Sequence, residues 1–203
     1  MSVLGTLFII SAPSGGGKTT LVNALLQRLN NLKVSISHTT RAPRSGEQDG
    51  KNYFFVDEQK FLDLQGKGIF LETAKVFNHW YGTSKTWVMQ ELHQGVDVIL
   101  EIDWQGAQRM KEQMDCVSIF ILPPSREILQ TRLQARQQDS AEVIALRMNK
   151  ASQEISHYTE YDYVVVNDNF EDACEDLVSI VRAQRVKTPI QKRRYEKLLA
   201  SLI

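Results

Sequence analysis

The sequence predicts an α/β fold in which a parallel β-sheet is flanked by helices, with a β-rich segment inserted near its middle. Three observations lead there. The apolar run "TLFIIS" stops at a glycine-rich stretch, "SAPSGGGKTT", and an amphipathic helix follows at once. Two further apolar runs, "VDVILEID" and "VSIFILPP", are continuous rather than alternating, as strands of a sheet buried on both faces are. Each of the runs is followed by a helical pattern, and strands linked by crossover helices form parallel sheets.

The elements can be justified in order. "KTTLVNALLQRL" carries Leu21, Leu25 and Leu29 at i, i+4 and i+8, one apolar helical face. "KVSISHTT" alternates and reads as a strand, and "RAPRSGEQDGK" is a loop rich in turn formers and charge. "NYFFV", "GIFLETAKVF" and "HWYGTS" read as short strands around a small helix, "EQKFLDL", with Asp57 as its N-cap. Residues 37–90 therefore look like an insertion of their own. After "VDVILEID" come a helix "WQGAQRMKEQM", the strand "VSIFILPP", a helix capped by Ser125 and a polar helix from about Ser140. The strand "DYVVVN" and a helix from about Glu171 complete the pattern, and the tail "QKRRYEKLLASLI" reads as the end of a solvated helix.

Composition narrows the function. The 203 residues can bury one sizeable core, and 42% apolar with 24% charged residues is ordinary for a globular protein. Lys plus Arg and Asp plus Glu are 24 each, so the net charge is zero and no general nucleic-acid binder is indicated. Cys116 and Cys174 lie far apart and read as free thiols of a reducing compartment; the four histidines form no zinc-like pair. "MSVLGTLFIISA" lacks the basic start of a signal peptide and reads as a strand. No run reaches the roughly 18 apolar residues of a membrane helix. A cytoplasmic protein with no nucleic-acid or membrane partner is expected; the tail is compatible with a homo-oligomer or with a frayed end.

The glycine-rich stretch has the context of a phosphate-binding loop, between a buried strand and a helix. The strict pattern asks for glycine where Ala12 stands, at the outer end of the loop, where a methyl group is tolerable if φ is negative. Gly15, Gly16 and Gly17 let successive N–H groups converge on one anion, at the positive end of the following helix. Lys18 can reach the β- and γ-phosphates of a nucleotide, and the Thr19 hydroxyl is placed for Mg²⁺.

The combination "SAPSGGGKTT", "SHTTRAPRSGEQDGKNYFFV", "FLETAKVFNHWYGTS", "ILEIDWQGAQ", "FILPPS" and "VVVND" closely resembles the bacterial-type guanylate kinase family, over about residues 6–185. The resemblance implies transfer of the ATP γ-phosphoryl group to GMP, with Mg²⁺. It also implies a P-loop core (residues 1–36, 91–125 and 157–203), a GMP-binding insertion (37–90) and a helical lid (126–156). Ala12, Pro13, Ser14, Gly15, Gly16, Gly17, Lys18 and Thr19 would hold ATP.

The remaining site residues can be read by chemistry and by resemblance together. Arg41 and Arg44 form a permanently charged clamp for a phosphate, and Tyr53 and Tyr81 offer phenolic donors; by resemblance these four hold the GMP phosphate. Glu72 puts a carboxylate inside an apolar run, and a buried carboxylate needs donors such as guanine N1–H and N2–H₂. Ser37, Thr83 and Asp103 resemble the family's other guanine contacts. Arg132 and Arg136 at i, i+4, with Arg147 on the next helix, would neutralise transferring phosphoryl charge when the lid closes. Asn167 and Asp168 resemble adenine-side contacts, and are equally readable as a polar cap on the helix that follows.

Two positions depart from the family pattern. Glu101 stands where Asp is usual; an oxygen displaced by about 1 Å can cost about 10²-fold, so Glu101 is not among the expected site residues. "QARQQD" lacks the glycines usual around the lid arginine. Two rivals are a non-catalytic guanylate-kinase-like module, against which Lys18, Thr19 and the lid arginines speak, and a kinase of a ribose bisphosphate, against which Glu72 and Ser37 speak.

Overall fold

The computed structural model describes residues 5–44, 46–76, 78–134 and 141–203. The chain begins with β1 (Leu7–Ser11), α1 (Lys18–Arg28), β2 (Leu32–Val34), β3 (His38–Thr39) and β4 (Phe54–Phe55). It continues through α2 (Glu58–Gly66), β5 (Phe70–Val76), β6 (His79–Ser84) and α3 (Lys85–His93). The second half runs β7 (Asp97–Glu101), α4 (Trp104–Gln113), β8 (Val117–Leu122), α5 (Arg126–Gln134) and α6 (Ala141–Ser156). A 3-10 turn at Tyr158–Glu160 leads to β9 (Tyr163–Val166), α7 (Phe170–Arg185), α8 (Thr188–Arg194) and α9 (Glu196–Leu202).

The main sheet is parallel, in the order β2-β7-β1-β8-β9. Every residue of β1 is buried, because its alternating side chains serve two cores. Phe8 and Ile10 pack with Leu21, Val22 and Leu25 of α1 and Leu177 and Val181 of α7. Leu7 and Ile9 pack on the opposite face with Val88 and Leu92 of α3 and Ala107 and Met110 of α4. Each such side chain stabilises the fold by about 1.5–3 kcal/mol, so the strand that carries the phosphate loop is anchored from both faces.

The expected insertion forms a second sheet, β4-β3-β6-β5, mostly antiparallel, between residues 38 and 84. Helix α2 covers it through Phe61, stacked on Phe70 at 4.7 Å and on Trp80 at 5.8 Å. The expected cap holds: Asp57 Oδ1 accepts from the Lys60 N–H at 2.7 Å. Helix α4 lies against β5 and joins the two sheets.

Two local expectations change. "KVSISHTT" is two strands: the Ser35 N–H still donates to the Ile99 carbonyl of the main sheet, while the Ser37 carbonyl accepts from Phe54 of the second. Alternation fixes the face of a strand and says nothing of which sheet it joins. The tail is not a continuation of α7. Pro189 begins a new helix, since inside α7 it would remove a hydrogen bond and clash with the Arg185 carbonyl. Among the described residues no helix is long and apolar enough to cross a membrane.

Candidate active site

The phosphate loop leaves β1 at its C-terminal end and opens α1. Gly15 and Gly17 have φ of +89° and +92°, a region that side chains disfavour. A Cβ on Gly17 would lie 2.3 Å from Asn167 Nδ2, and one on Gly15 about as close as 3.0 Å to Leu129 of α5. The Gly16 N–H closes a turn onto the Pro13 carbonyl at 2.9 Å. Ala12 fits because a Cβ on Gly16 would stand 3.1 Å from its methyl; one side chain takes the space the other leaves. Its φ is negative, for only Asn31 and Asn78 combine a side chain with positive φ among the described residues.

Lys18 is the first residue of α1, at the positive end of the helix dipole. Thr19 is exposed, and its hydroxyl donates to Glu101 Oε2 at 3.2 Å. Glu101 ends β7, next to β1 in the sheet. The Glu101 carboxylate, not among the residues expected from the sequence, thus stands in direct contact with Thr19. An alcohol and a carboxylate side by side are the hard oxygen donors that suit Mg²⁺.

Helix α6 touches the loop at Ser14. Arg147 Nη2 donates to Ser14 Oγ at 2.8 Å, and the Ser14 N–H donates to Glu154 Oε2 at 3.2 Å. Burial pushes the Glu154 carboxyl up, against the Ser14 N–H and Lys150, which pull it down. Arg147 and Glu154 lie seven residues apart on α6, two turns along one face. Arg132 Nη2 donates to the Asn167 carbonyl at 3.3 Å, while its Nη1 is buried without a partner. Two of the three expected arginines are therefore at the loop. Arg136 lies outside the described residues.

Asn167 is buried beneath the loop, and its amide donates to the Gly16 carbonyl at 3.0 Å. Asp168 is exposed. The cap of α7 is Asn169, whose side chain accepts from Glu171 and Asp172 N–H. The signal for a cap was right in kind and one residue early.

After β3, Arg41 and Arg44 converge on a carboxylate. Arg41 Nη2 pairs with both oxygens of Glu47 at 2.8 and 2.9 Å, and the Arg44 N–H donates to Glu47 Oε2 at 2.7 Å. Burial works against the charge of Glu47, yet these donors outweigh it and hold its carboxyl below the usual range. Arg41 also lies 5.3 Å over the Tyr53 ring, and Tyr53 meets Tyr81 edge-on with centroids 6.0 Å apart. A planar oxyanion is thus already bound where a phosphate is expected.

Glu72 is 5% exposed although β5 is an edge strand, because α4 covers it. Its Oε1 accepts from the Thr83 hydroxyl at 3.0 Å, and its Oε2 is buried without a partner. Burial pushes the carboxyl up to about 7, against the Thr83 hydroxyl and the charge of Arg109, with Asp103 adding to the rise. Asp103 caps α4, accepting from the Gly106 N–H at 2.8 Å. Ser37 is half-buried beside β3, its carbonyl bonded to Phe54. Glu47, Arg109 and Glu154 were not foreseen, and Glu101 was noted only as a departure from the family pattern; of the first three, only Glu154, by its spacing from Arg147, offered a local signal.

The guanylate kinase family model matches residues 5–184. A guanylate kinase of Vibrio cholerae is 53% identical over 202 residues, covering 98% of both chains. One of Hahella chejuensis is 56% identical over 200 residues, 98% of this chain and 96% of its own. The crystal structure of guanylate kinase from Anaplasma phagocytophilum superposes with a TM-score of 0.78 at 37% identity, covering 96% of this chain and 97% of its own.

Proposed function

The chain belongs to the guanylate kinase family and is an ATP:GMP phosphotransferase, and from that premise we propose how its residues divide the reaction. The phosphate loop from Ala12 to Thr19 receives the ATP phosphates, with Lys18 across the β- and γ-groups. Residues 37–90 form the GMP-binding unit and 126–156 the lid. Thr19 and Glu101 would hold Mg²⁺ with ATP; when bound, the ion neutralises phosphate charge and fixes its orientation. We place the reaction in the cytoplasm, where both substrates are at hand.

The GMP phosphate displaces Glu47 from Arg41 and Arg44 and is received by Tyr53 and Tyr81 as well. One of its oxygens, already deprotonated at neutral pH, attacks the γ-phosphorus. The bond to the ADP oxygen breaks, and GDP and ADP leave. No general base is needed. Lys18, Arg132 and Arg147, with Arg136 as a fourth cation, neutralise the charge that spreads over the transferring group. Docking of α6 on Ser14 excludes water, so that GMP rather than water is the acceptor.

The observation that carries this reading is Glu72, buried with one oxygen on Thr83 and the other unpartnered. Guanine offers two adjacent donors to that carboxylate; adenine offers an acceptor at N1 and no amino group at C2. A site built on such bonds rejects an analogue without them by about 10⁴–10⁵-fold. The test is ADP release with ATP and Mg²⁺ and GMP, AMP, UMP, dTMP or a ribose bisphosphate as acceptor. GMP alone should be turned over rapidly, and Glu72→Gln should lose GMP turnover by at least about 10²-fold. Wild-type kinetics in that variant would remove Glu72 from the base site.

A further inference from the structure

Arg109, on α4, has no part in the reaction described above, yet its half-buried guanidinium is only partly satisfied. Its Nη2 donates to the carbonyl of Thr73 at 3.0 Å, the residue next to Glu72, and its Nε is buried without a partner. Glu72 Oε2 is the corresponding orphan on the carboxylate side. Among the described residues no hydrogen bond joins the two, so Arg109 acts on Glu72 through space and leaves Oε2 free for a ligand.

We propose that Arg109 is a positioning residue for guanine selection, whose charge keeps Glu72 in the ionised, accepting state that guanine N1–H and N2–H₂ require. The inference rests on Glu72 being the guanine receptor. A hydrogen bond to Thr73 alone asks for a donor, not for a permanent cation, and a cation at this depth needs a counter-charge. Asp103 is the other acid that acts on Glu72; it bonds the Gly106 N–H as a helix cap and opposes ionisation of Glu72. From α2, the Gln65 amide donates to the Thr73 hydroxyl at 3.0 Å, and apolar contacts accompany it. Helix α2 stacks Phe61 on Phe70, and α3 packs Val88 and Leu92 with Leu71. From β6 comes the Thr83 hydroxyl.

Because the Glu72 carboxyl stands at about 7 without ligand, a modest change of field alters its charge within the working range. A protonated Glu72 has lost an acceptor, so KM for GMP rises as pH falls through that value. The experiment is the pH profile of KM for GMP from about pH 6 to about pH 9 at saturating ATP. Arg109→Gln retains a donor for Thr73 and removes the charge. It should move the break upward by roughly one pH unit, raising KM about fivefold at neutral pH and little in alkali. Arg109→Lys should keep the wild-type break. Titration of GMP into the protein at pH 7, in two buffers of different ionisation enthalpy, should show more protons released per GMP for Arg109→Gln than for wild type. A pH-independent rise in KM, or equal shifts in both variants, would mean that Arg109 merely braces Thr73 and would overturn the proposal. Should the Gln variant not fold, Arg109→Met against Arg109→Lys makes the same comparison. If Glu72→Gln keeps wild-type KM for GMP, the receptor reading itself fails. If Glu72→Gln loses GMP while Arg109→Gln leaves the break in place, only the role of Arg109 fails.

Discussion

The side-chain amide of Asn167, at the end of β9, donates to the carbonyl of Gly16 at 3.0 Å and so braces the phosphate loop from 151 residues away. The bond is buried, and removing the donor strands a carbonyl. Asn167→Ala should lower stability by about 1–3 kcal/mol and raise KM for ATP, with KM for GMP unchanged. Because the amide is engaged with the backbone, the relative use of ATP and GTP as donors should be the same in the variant as in the wild type. A changed ratio would instead assign Asn167 to the adenine ring.

Gly17 meets the same amide. Its φ of +92° and the 2.3 Å approach of a hypothetical Cβ to Asn167 Nδ2 act together, so Gly17→Ala should weaken ATP binding more than tenfold and lower Tm by several degrees. Gly68 supplies the control. It has φ of +65° with nothing within 4 Å, so Gly68→Ala should cost about 1 kcal/mol and leave the kinetics alone.

Glu72 should make stability depend on pH in a defined sense. Its folded value, about 7, lies above the unfolded one, so its contribution is complete below the unfolded value and is lost as pH rises through about 7. Glu72→Gln, which cannot ionise, should gain on the wild type above neutrality by an amount on the order of 3 kcal/mol at most. Thermal unfolding at about pH 5 and about pH 8.5 checks this. An equal Tm difference at both would mean that the fold does not raise the Glu72 carboxyl above its unfolded value.

Glu101 accepts from the Thr19 hydroxyl at 3.2 Å. Glu101→Asp restores the residue more usual in the family but withdraws the oxygen by about 1 Å, and should lower kcat by about tenfold and raise the Mg²⁺ concentration needed for half-maximal rate. A variant as fast as wild type, with the same Mg²⁺ dependence, would make the contact incidental.

What the sequence by itself determined is whatever a single turn or strand can encode. The buried run of β1, the glycines of the phosphate loop, the i, i+4, i+8 leucines of α1, the caps Asp57 and Ser125 and the anomalous Glu72 are local features. Their physical causes act over a few residues. The tertiary structure alone decided which distant groups meet. Thr19 and Glu101 are 82 residues apart, Ser14 and Glu154 140, and Gly16 and Asn167 151. Sheet order sets the first of these pairs, since β7 must lie beside β1; docking of α6 on the loop sets the second, and the place of β9 the third. The same holds for Arg109, which looks like any helical surface cation until α4 is seen to lie on β5. Periodicity records which face of an element is buried, and no local pattern records what it is buried against.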